Sequence, residues 1–509
     1  MSNVETRGNE SNISRTENRA LGYKTTGKEL VDFNFQVGSM RKMSKRKIIS
    51  KFERVYNEDR LLAIKWLFYA RDIKNGMGER RLFRICLEWL GNKHPDMARM
   101  IYPLVPEFGR WDDLLVLLDT QLESEVAEYL ARIVSDDEMS YERIGRMSLL
   151  SKWLPSENSS SKKAKRYAKK IVAGMYGGNC NESMKAYRHK LAKLRDLLDI
   201  VERRMSAKQF NQIDYAKVPS RANLIYSNAF LRNDRERRQF YLDALARGDV
   251  EIKADTLFPH DIVHRYMSYG LETWSKAIKK YDATLEQLWK ALPNFVKDNG
   301  NTICVADGSG SMLRKIHGTN ITLLSVANAL AIYFSERCSG EFKNKYITFS
   351  RKPEIVDFGN ARFLKQKLDI AHAYNQAEST NIEAVFKLIL DTAIAANMSQ
   401  EDMPDNILIL SDMEFDKGIN GRKDKKLFAE ISESYQEAGY KLPRLVFWNI
   451  YSRTKTIPVI ENELGVSLIS GFSPAALRLA LGDRLDPYES LVNELNSERY
   501  RIIGWSIRL

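Results

Sequence analysis

The stretch TICVADGSGSM, residues 302–312, decides the fold. Its first half is a short apolar run closed by one carboxylate, Asp307. Its second half places two hydroxyls, Ser309 and Ser311, at alternate positions among glycines. A short apolar run bounded by a turn signal suits a strand buried on both faces. Downstream the texture repeats. NITLLSVANALAIYFSERC, IEAVFKLILDTAIAANM and KDKKLFAEISESYQEAGY read as amphipathic helices, and NKYITFS, DNILILSDM and PRLVFWNI as strands between them. This alternation predicts an α/β domain with a doubly wound, mostly parallel sheet. The texture changes at KDNGN, which places the domain over residues 298–509.

Upstream the pattern is helical. In EDRLLAIKWLFYARDI, Leu61, Leu62, Ile64, Trp66, Leu67 and Phe68 recur at three- and four-residue spacing. The later segments read as helix pairs broken at Gly and Pro, without the β-branched alternation of strands. Residues 26–297 are therefore expected to form an α domain, either a HEAT-like helical-repeat stack or an irregular helical domain. Gly76 and Gly78 in ARDIKNGMGERRLFR read as a helix–helix turn, and Trp111 in PEFGRWDDLL as core. Residues 1–25 are polar and read as a mobile arm.

With 509 residues and 44% hydrophobic content the chain can bury more than one large core. It has no apolar run of the roughly 18 residues a membrane helix needs. Its first residues lack the apolar segment of a secretory signal. Four cysteines, Cys86, Cys180, Cys304 and Cys338, show neither metal nor disulfide spacing, so a reducing, cytoplasmic setting is expected. The net charge of +13 and a pI near 9.3 favour a polyanionic partner, most simply nucleic acid.

In open α/β sheets, ligands bind beyond the carboxyl ends of the strands. Three oxygen-bearing clusters fall near such ends: Asp307, Ser309 and Ser311; Asp412 after ILIL; and Thr380 in AESTNIEAVF. Such donors suit a hard divalent cation. The alternative is a loop held by hydrogen bonds alone, with Ser309 and Ser311 capping backbone N–H groups. The D-x-S-x-S spacing, with the separate threonine and aspartate, resembles the metal-ion-dependent adhesion site of von Willebrand factor A domains. That resemblance implies Asp307, Ser309, Ser311 and Thr380 as ligands of Mg²⁺ (or Mn²⁺ or Ca²⁺), with Asp412 acting through water. It also implies an open position that accepts an acidic residue of a protein partner.

Enzyme chemistry fits less well. DGSGS is not a G-x-S-x-G elbow, no G-K-[ST] follows, and position 309 is not a second aspartate. His317 and His372 lack recognisable partners and read as solvated. A non-enzyme is expected, with a metal-dependent hydrolase as the competing class.

Residues 161–210 hold 14 Lys and Arg against 4 Asp and Glu, a surplus suited to phosphate contacts. Lys162, Lys163, Lys165, Arg166, Lys169 and Lys170, with Tyr167 between them and Arg188 and Lys190 following, are the candidate nucleic-acid-binding residues. Aromatic groups beside cations stack unpaired bases, whereas the bland alternative is a solvated helix face. A second basic cluster runs from Arg41 to Lys51.

A helical domain followed by an adhesion-type domain is the order of the Ro and TROVE proteins, which bind RNA. More closely, the chain is similar to an uncharacterised Ro-like family of viruses, plants and bacteria. The stretches that carry the likeness include TENRALGYKTTGKELVDF, FYARDIKNGMGERRLFR, PEFGRWDDLL, KWLPSENSSSKKAKRYAKKI and STNIEAVFKLIL. The resemblance implies an RNA-binding ribonucleoprotein scaffold whose metal domain binds a partner. The other reading is a protein-interaction module that recruits an acidic partner through Mg²⁺ without RNA.

Overall fold

The computed structural model describes residues 13–15, 21–267, 280–296, 301–350, 352–374, 382–412, 430–451, 466–473 and 486–508. The architecture is a helical N-terminal half followed by a six-stranded mixed sheet flanked by helices. The six strands are β3 (Thr302–Asp307), β4 (Lys345–Phe349), β5 (Ile355–Asp357), β6 (Asn406–Ser411), β7 (Arg444–Asn449) and β8 (Val466–Ser470). They lie in the order β5-β4-β3-β6-β7-β8. Neighbours are parallel except β4 and β5, which are antiparallel. Two of them, β5 and β8, escaped the sequence reading because each is short and sits at a sheet edge. Within the polar arm, β1 (Ile13–Arg15) and β2 (Leu21–Tyr23) pair in an antiparallel ladder.

Every residue of β3 and of β6 is buried, as befits central strands covered on both faces. On one face Ile303, Val305, Ile407 and Ile409 pack with Val385, Phe386 and Ile389 of the helix Ile382–Ala395. On the other lies the helix Leu323–Ser335, whose Phe334 ring meets Trp448 of β7 at 5.9 Å. All of its residues are buried. A helix apolar all round needs a second layer outside it. The helix Pro259–Tyr266 and residues 280–296 supply that layer: Trp289 Nε1 donates to Glu336 at 2.9 Å, and the Phe295 N–H donates to the Tyr333 hydroxyl at 3.0 Å.

Compactness divides the chain elsewhere than at the residue 298 boundary read from texture. One compact unit gathers Met1–Ser44, Asn57–Asp59 and Leu245–Asn496 around the sheet. The other holds Lys45–Tyr56, Arg60–Ala244 and Ser497–Leu509. Helical texture assigned residues 245–296 to the first half, but the helices Pro259–Tyr266 and Ala283–Lys290 lie in the sheet unit. The last helix, Glu498–Arg508, belongs to the helical unit, where Arg499 pairs with Asp72 at 2.8 Å and Tyr500 stacks on Phe108. No helix among the described residues is long and apolar enough to cross a membrane.

In the helical unit, the turn expected at Gly76 and Gly78 links the helices Arg60–Arg71 and Arg80–Lys93. The chain doubles back so closely that the Met77 N–H reaches the Tyr69 carbonyl at 3.1 Å. A Cβ on Gly76 would lie 1.9 Å from that same oxygen. Gly76→Ala is therefore expected to cost about 1–3 kcal/mol, seen as a lower urea midpoint. An unchanged midpoint would mean that the turn re-forms without loss.

Candidate metal centre and nucleic-acid interface

β3 is the first strand of the sheet, and the chain leaves it toward β4 on one side and returns to β6 on the other. The carboxyl ends of β3 and β6 thus flank a topological switch point, where such sheets bind ligands. Asp307 ends β3 and Ser411 ends β6, with Asp412 next in the chain. Asp307 and Asp412 are 3% and 1% exposed. Asp307 Oδ1 accepts the Ser309 N–H at 2.9 Å, and its Oδ2 accepts the Ser411 hydroxyl at 2.7 Å. The Ser309 N–H bond bends the loop back at once, and a 3₁₀ turn, Gly310–Leu313, follows.

The Ser309 and Ser311 hydroxyl oxygens lie 3.0 Å apart on this half-buried loop. Two adjacent ligands of an octahedral Mg²⁺, each about 2.0–2.1 Å from the ion, are separated by about 2.9–3.0 Å. The two hydroxyls are hydrogen-bonded to each other at this distance, so the spacing suits a hard divalent cation and equally a loop held by that bond alone; the buried carboxylates beside them favour positive charge. Asp307, Ser309, Ser311 and Asp412 come to one sheet edge as the sequence suggested; Thr380 lies outside the described residues. Ser411 was missed, although a Ser-Asp pair closing a buried parallel strand beside β3 was its signal. Farther along the edge, Arg41 stacks 4.2 Å over Phe472 after β8, and Lys42 lies 5.1 Å over Tyr451 after β7. A Cβ on Gly38 would sit 3.2 Å from the Ile450 carbonyl. The N-terminal segment thus covers the β7 and β8 ends.

In the helical unit, the candidate basic residues lie on the helices Lys162–Tyr176 and Asn181–Leu197. Ser161 caps the first, accepting the Ala164 N–H at 3.3 Å. Several cations are already engaged. Arg166 forks onto Asp119, with Lys163 3.9 Å away, and Lys170 reaches Glu123 at 2.9 Å. Arg188 pairs with Glu157, and Lys190 with Glu138 at 2.9 Å. Burial alone would raise the Asp119 carboxyl, but the Tyr167 hydroxyl and the Arg166 and Lys170 charges hold it below its usual value. Bonds from Lys193 and Lys190 likewise lower Glu138.

Tyr167, suggested as a base platform, is instead buried, its hydroxyl donating to Asp119 at 2.8 Å. The helix turns it inward because its apolar face carries Ala168, Ile171 and Val172. Trp111 is half-buried. Lys162, Lys165 and Lys169 form no ion pair among the described residues and are exposed. Their spacing of three and four residues sets them in one stripe along the helix.

A helical unit together with a mostly parallel sheet unit, bearing oxygen donors at its switch point, defines the class. The chain belongs to the family described as Domain of unknown function (DUF2828), whose model matches residues 16–136 and 121–302. A second model, Domain of unknown function (DUF7788), matches residues 301–500. The chain is similar to the uncharacterized protein L728 of Acanthamoeba polyphaga mimivirus, at 28% identity over 525 residues, covering 95% of this chain and 87% of that one. Among solved structures, the RO (RSR) protein of Deinococcus radiodurans aligns with a TM-score of 0.47 at 13% identity, over 90% of this chain and 100% of that one.

Proposed function

We propose that the protein is an RNA-binding scaffold of Ro/TROVE type whose sheet unit carries a metal-dependent site for a protein partner. Asp307, Ser309 and Ser311 would hold Mg²⁺ or a similar divalent ion, with Asp412 behind them and Thr380 assigned by resemblance. Such an ion, neutralised by few carboxylates, has appetite for a further oxygen and so recruits an acidic side chain. The observation that carries this reading is the 3.0 Å hydroxyl pair beside buried Asp307 at the switch point. Both Asp307 oxygens already accept hydrogen bonds, which suits a ligand better than a general base. The protein is read as a binder, not an enzyme.

Two measurements test the metal site. Mg²⁺ titrated into the purified chain should give saturable heat that is absent in Asp307→Ala. Pulldown with Mg²⁺ should retain partners that chelation or Asp307→Ala releases. An Asp307→Ala protein that binds Mg²⁺ as the wild type does defeats the metal site.

RNA binding rests on a different observation, the unpaired stripe of Lys162, Lys165 and Lys169. In mobility-shift assays with structured and single-stranded RNAs, reversal of all three to Glu is expected to weaken binding at least tenfold. Losing three contacts should reduce the salt slope on single strands by about 2. Equal retention of RNA by the wild type and the triple variant rules the stripe out.

A further inference from the structure

The motifs FYARDIKNGMGERRLFR and PEFGRWDDLL meet in the helical unit, and what they build is not a neutral ion-pair network. Three guanidinium groups converge on one carboxylate, Asp112. Arg80 pairs with its Oδ2, Arg84 Nη2 lies 2.9 Å from the same oxygen, and Arg110 approaches at 3.1 and 3.2 Å. Beneath them Asp113, with no exposed side chain, takes Arg84 Nε at 2.6 Å and Arg71 Nε at 2.7 Å. Four guanidinium charges thus face two carboxylates, leaving a surplus of two positive charges.

We propose that Arg80, Arg84 and Arg110 form a binding site for a phosphate group. Their side chains are 40%, 27% and 32% exposed, whereas Asp112 and Asp113 are 15% and 0%. The anions sit below and the cations above, toward solvent. Each guanidinium has five N–H donors. The Nη1 groups of all three make no hydrogen bond among the described residues, so donors remain after Asp112 and Asp113 are satisfied. The Arg110 plane is fixed by stacking 4.0 Å over the Trp153 ring. Burial and then the nearby Arg84 charge lower Arg80 below the usual arginine value, as crowded positive charge does.

A network built for stability alone would gain nothing from this surplus. A phosphate dianion cancels it, and its oxygens match the planar fork of arginine, which makes paired, charge-assisted bonds. A single carboxylate would cancel half. The ligand is either free phosphate or the terminal phosphate of a nucleic acid, since both present the same chemistry.

The test is calorimetric titration of inorganic phosphate into the full chain. Wild type, Arg80→Gln, Arg110→Lys and the triple reversal at Lys162, Lys165 and Lys169 are compared, with folding checked by circular dichroism. Saturable one-to-one binding is expected, at least tenfold weaker in each arginine variant and unchanged in the triple variant. Should Arg80→Gln fail to fold, Arg110→Lys, which keeps the charge and removes the fork, decides alone. Absence of saturable binding by the wild type, or equal binding by wild type and a folded arginine variant, overturns the site.

A short RNA with a 5′-phosphate and its 5′-hydroxyl counterpart separate the sources. At least tenfold tighter binding of the phosphorylated RNA than of its 5′-hydroxyl counterpart identifies a chain end, and equal binding of the two identifies free phosphate. The site shares no residue with the lysine stripe, so loss of RNA shifts in the triple variant with phosphate binding intact separates the two readings.

Discussion

Replacing Asp113 with alanine is expected to unfold the helical unit at moderate urea. Its carboxylate is fully buried and receives Arg71 and Arg84 together with the Arg110 N–H at 3.0 Å. Removing one partner of a buried charge set leaves the others unpaired, at a cost of about 3–5 kcal/mol. That is a large share of the roughly 5–15 kcal/mol by which a domain is stable. The surplus of positive charge makes the loss worse, because four guanidinium groups would then share Asp112 alone. Urea unfolding followed by far-ultraviolet circular dichroism should show a large drop in midpoint, and a drop under about 1 kcal/mol would contradict the account.

The same residue predicts a pH dependence. Burial acts to raise the Asp113 carboxyl, but the Arg71 and Arg84 charges, the Arg84 bond and the Arg110 N–H outweigh it and hold it below its ordinary value. A group whose pKa is depressed by folding contributes stability that is complete above its unfolded value, about 3.9 for Asp. That contribution is lost as the pH falls through the folded value. Acid should therefore destabilise the wild type below about pH 4, and Asp113→Asn should flatten that part of the profile.

The second large effect is expected in the sheet unit, at Glu286. This side chain is 2% exposed and joins three helices. Its Oε1 accepts the Tyr266 hydroxyl at 2.7 Å and the Lys365 N–H at 3.0 Å; its Oε2 accepts the Leu364 N–H at 2.8 Å. Leu364 and Lys365 open the helix Leu364–Ala373, whose first N–H groups have no partner within the helix. A carboxylate there satisfies two of them and complements the helix dipole. Hydrogen bonds to a charged group contribute about 1.5–3 kcal/mol each, so loss of the two helix N–H bonds in Glu286→Ala should cost about 3–6 kcal/mol. Glu286→Gln keeps one acceptor oxygen and should cost less. Both substitutions should lower the thermal midpoint, with alanine the more severe. Equal midpoints for the two variants would deny the capping role.

The geometry of Glu286 also shows where sequence reading stops. The sheet was legible because each buried strand announces itself locally: TICVAD and NILILS are apolar runs closed by polar turns. So was the placement of Asp307, Ser309, Ser311 and Asp412 at one end of the sheet, since residues ending adjacent parallel strands come together there; Thr380 lies outside the described residues. The turn at Gly76 and Gly78 was legible too, because a tight turn is a property of a few consecutive residues, but the positive φ expected of both glycines holds only at Gly78, and the close approach of Gly76 to the Tyr69 carbonyl was not read.

What the chain does across long separations was not legible. Helical periodicity in ATLEQLWK shows that one face is apolar, but not that Trp289 meets Glu336 or that Glu286 caps a helix 78 residues later. Nor does the run SKKAKRYAKK reveal which of its cations face Asp119 and which face water. Periodicity and spacing determined the helices, the central strands, the fold class and the strand ends where Asp307 and Asp412 lie. Tertiary structure alone decided which helices clothe the sheet, which lysines stay unpaired and how four arginines gather on two aspartates. Those outcomes depend on burial and charge between distant segments, and a local pattern holds no record of the partner that will arrive.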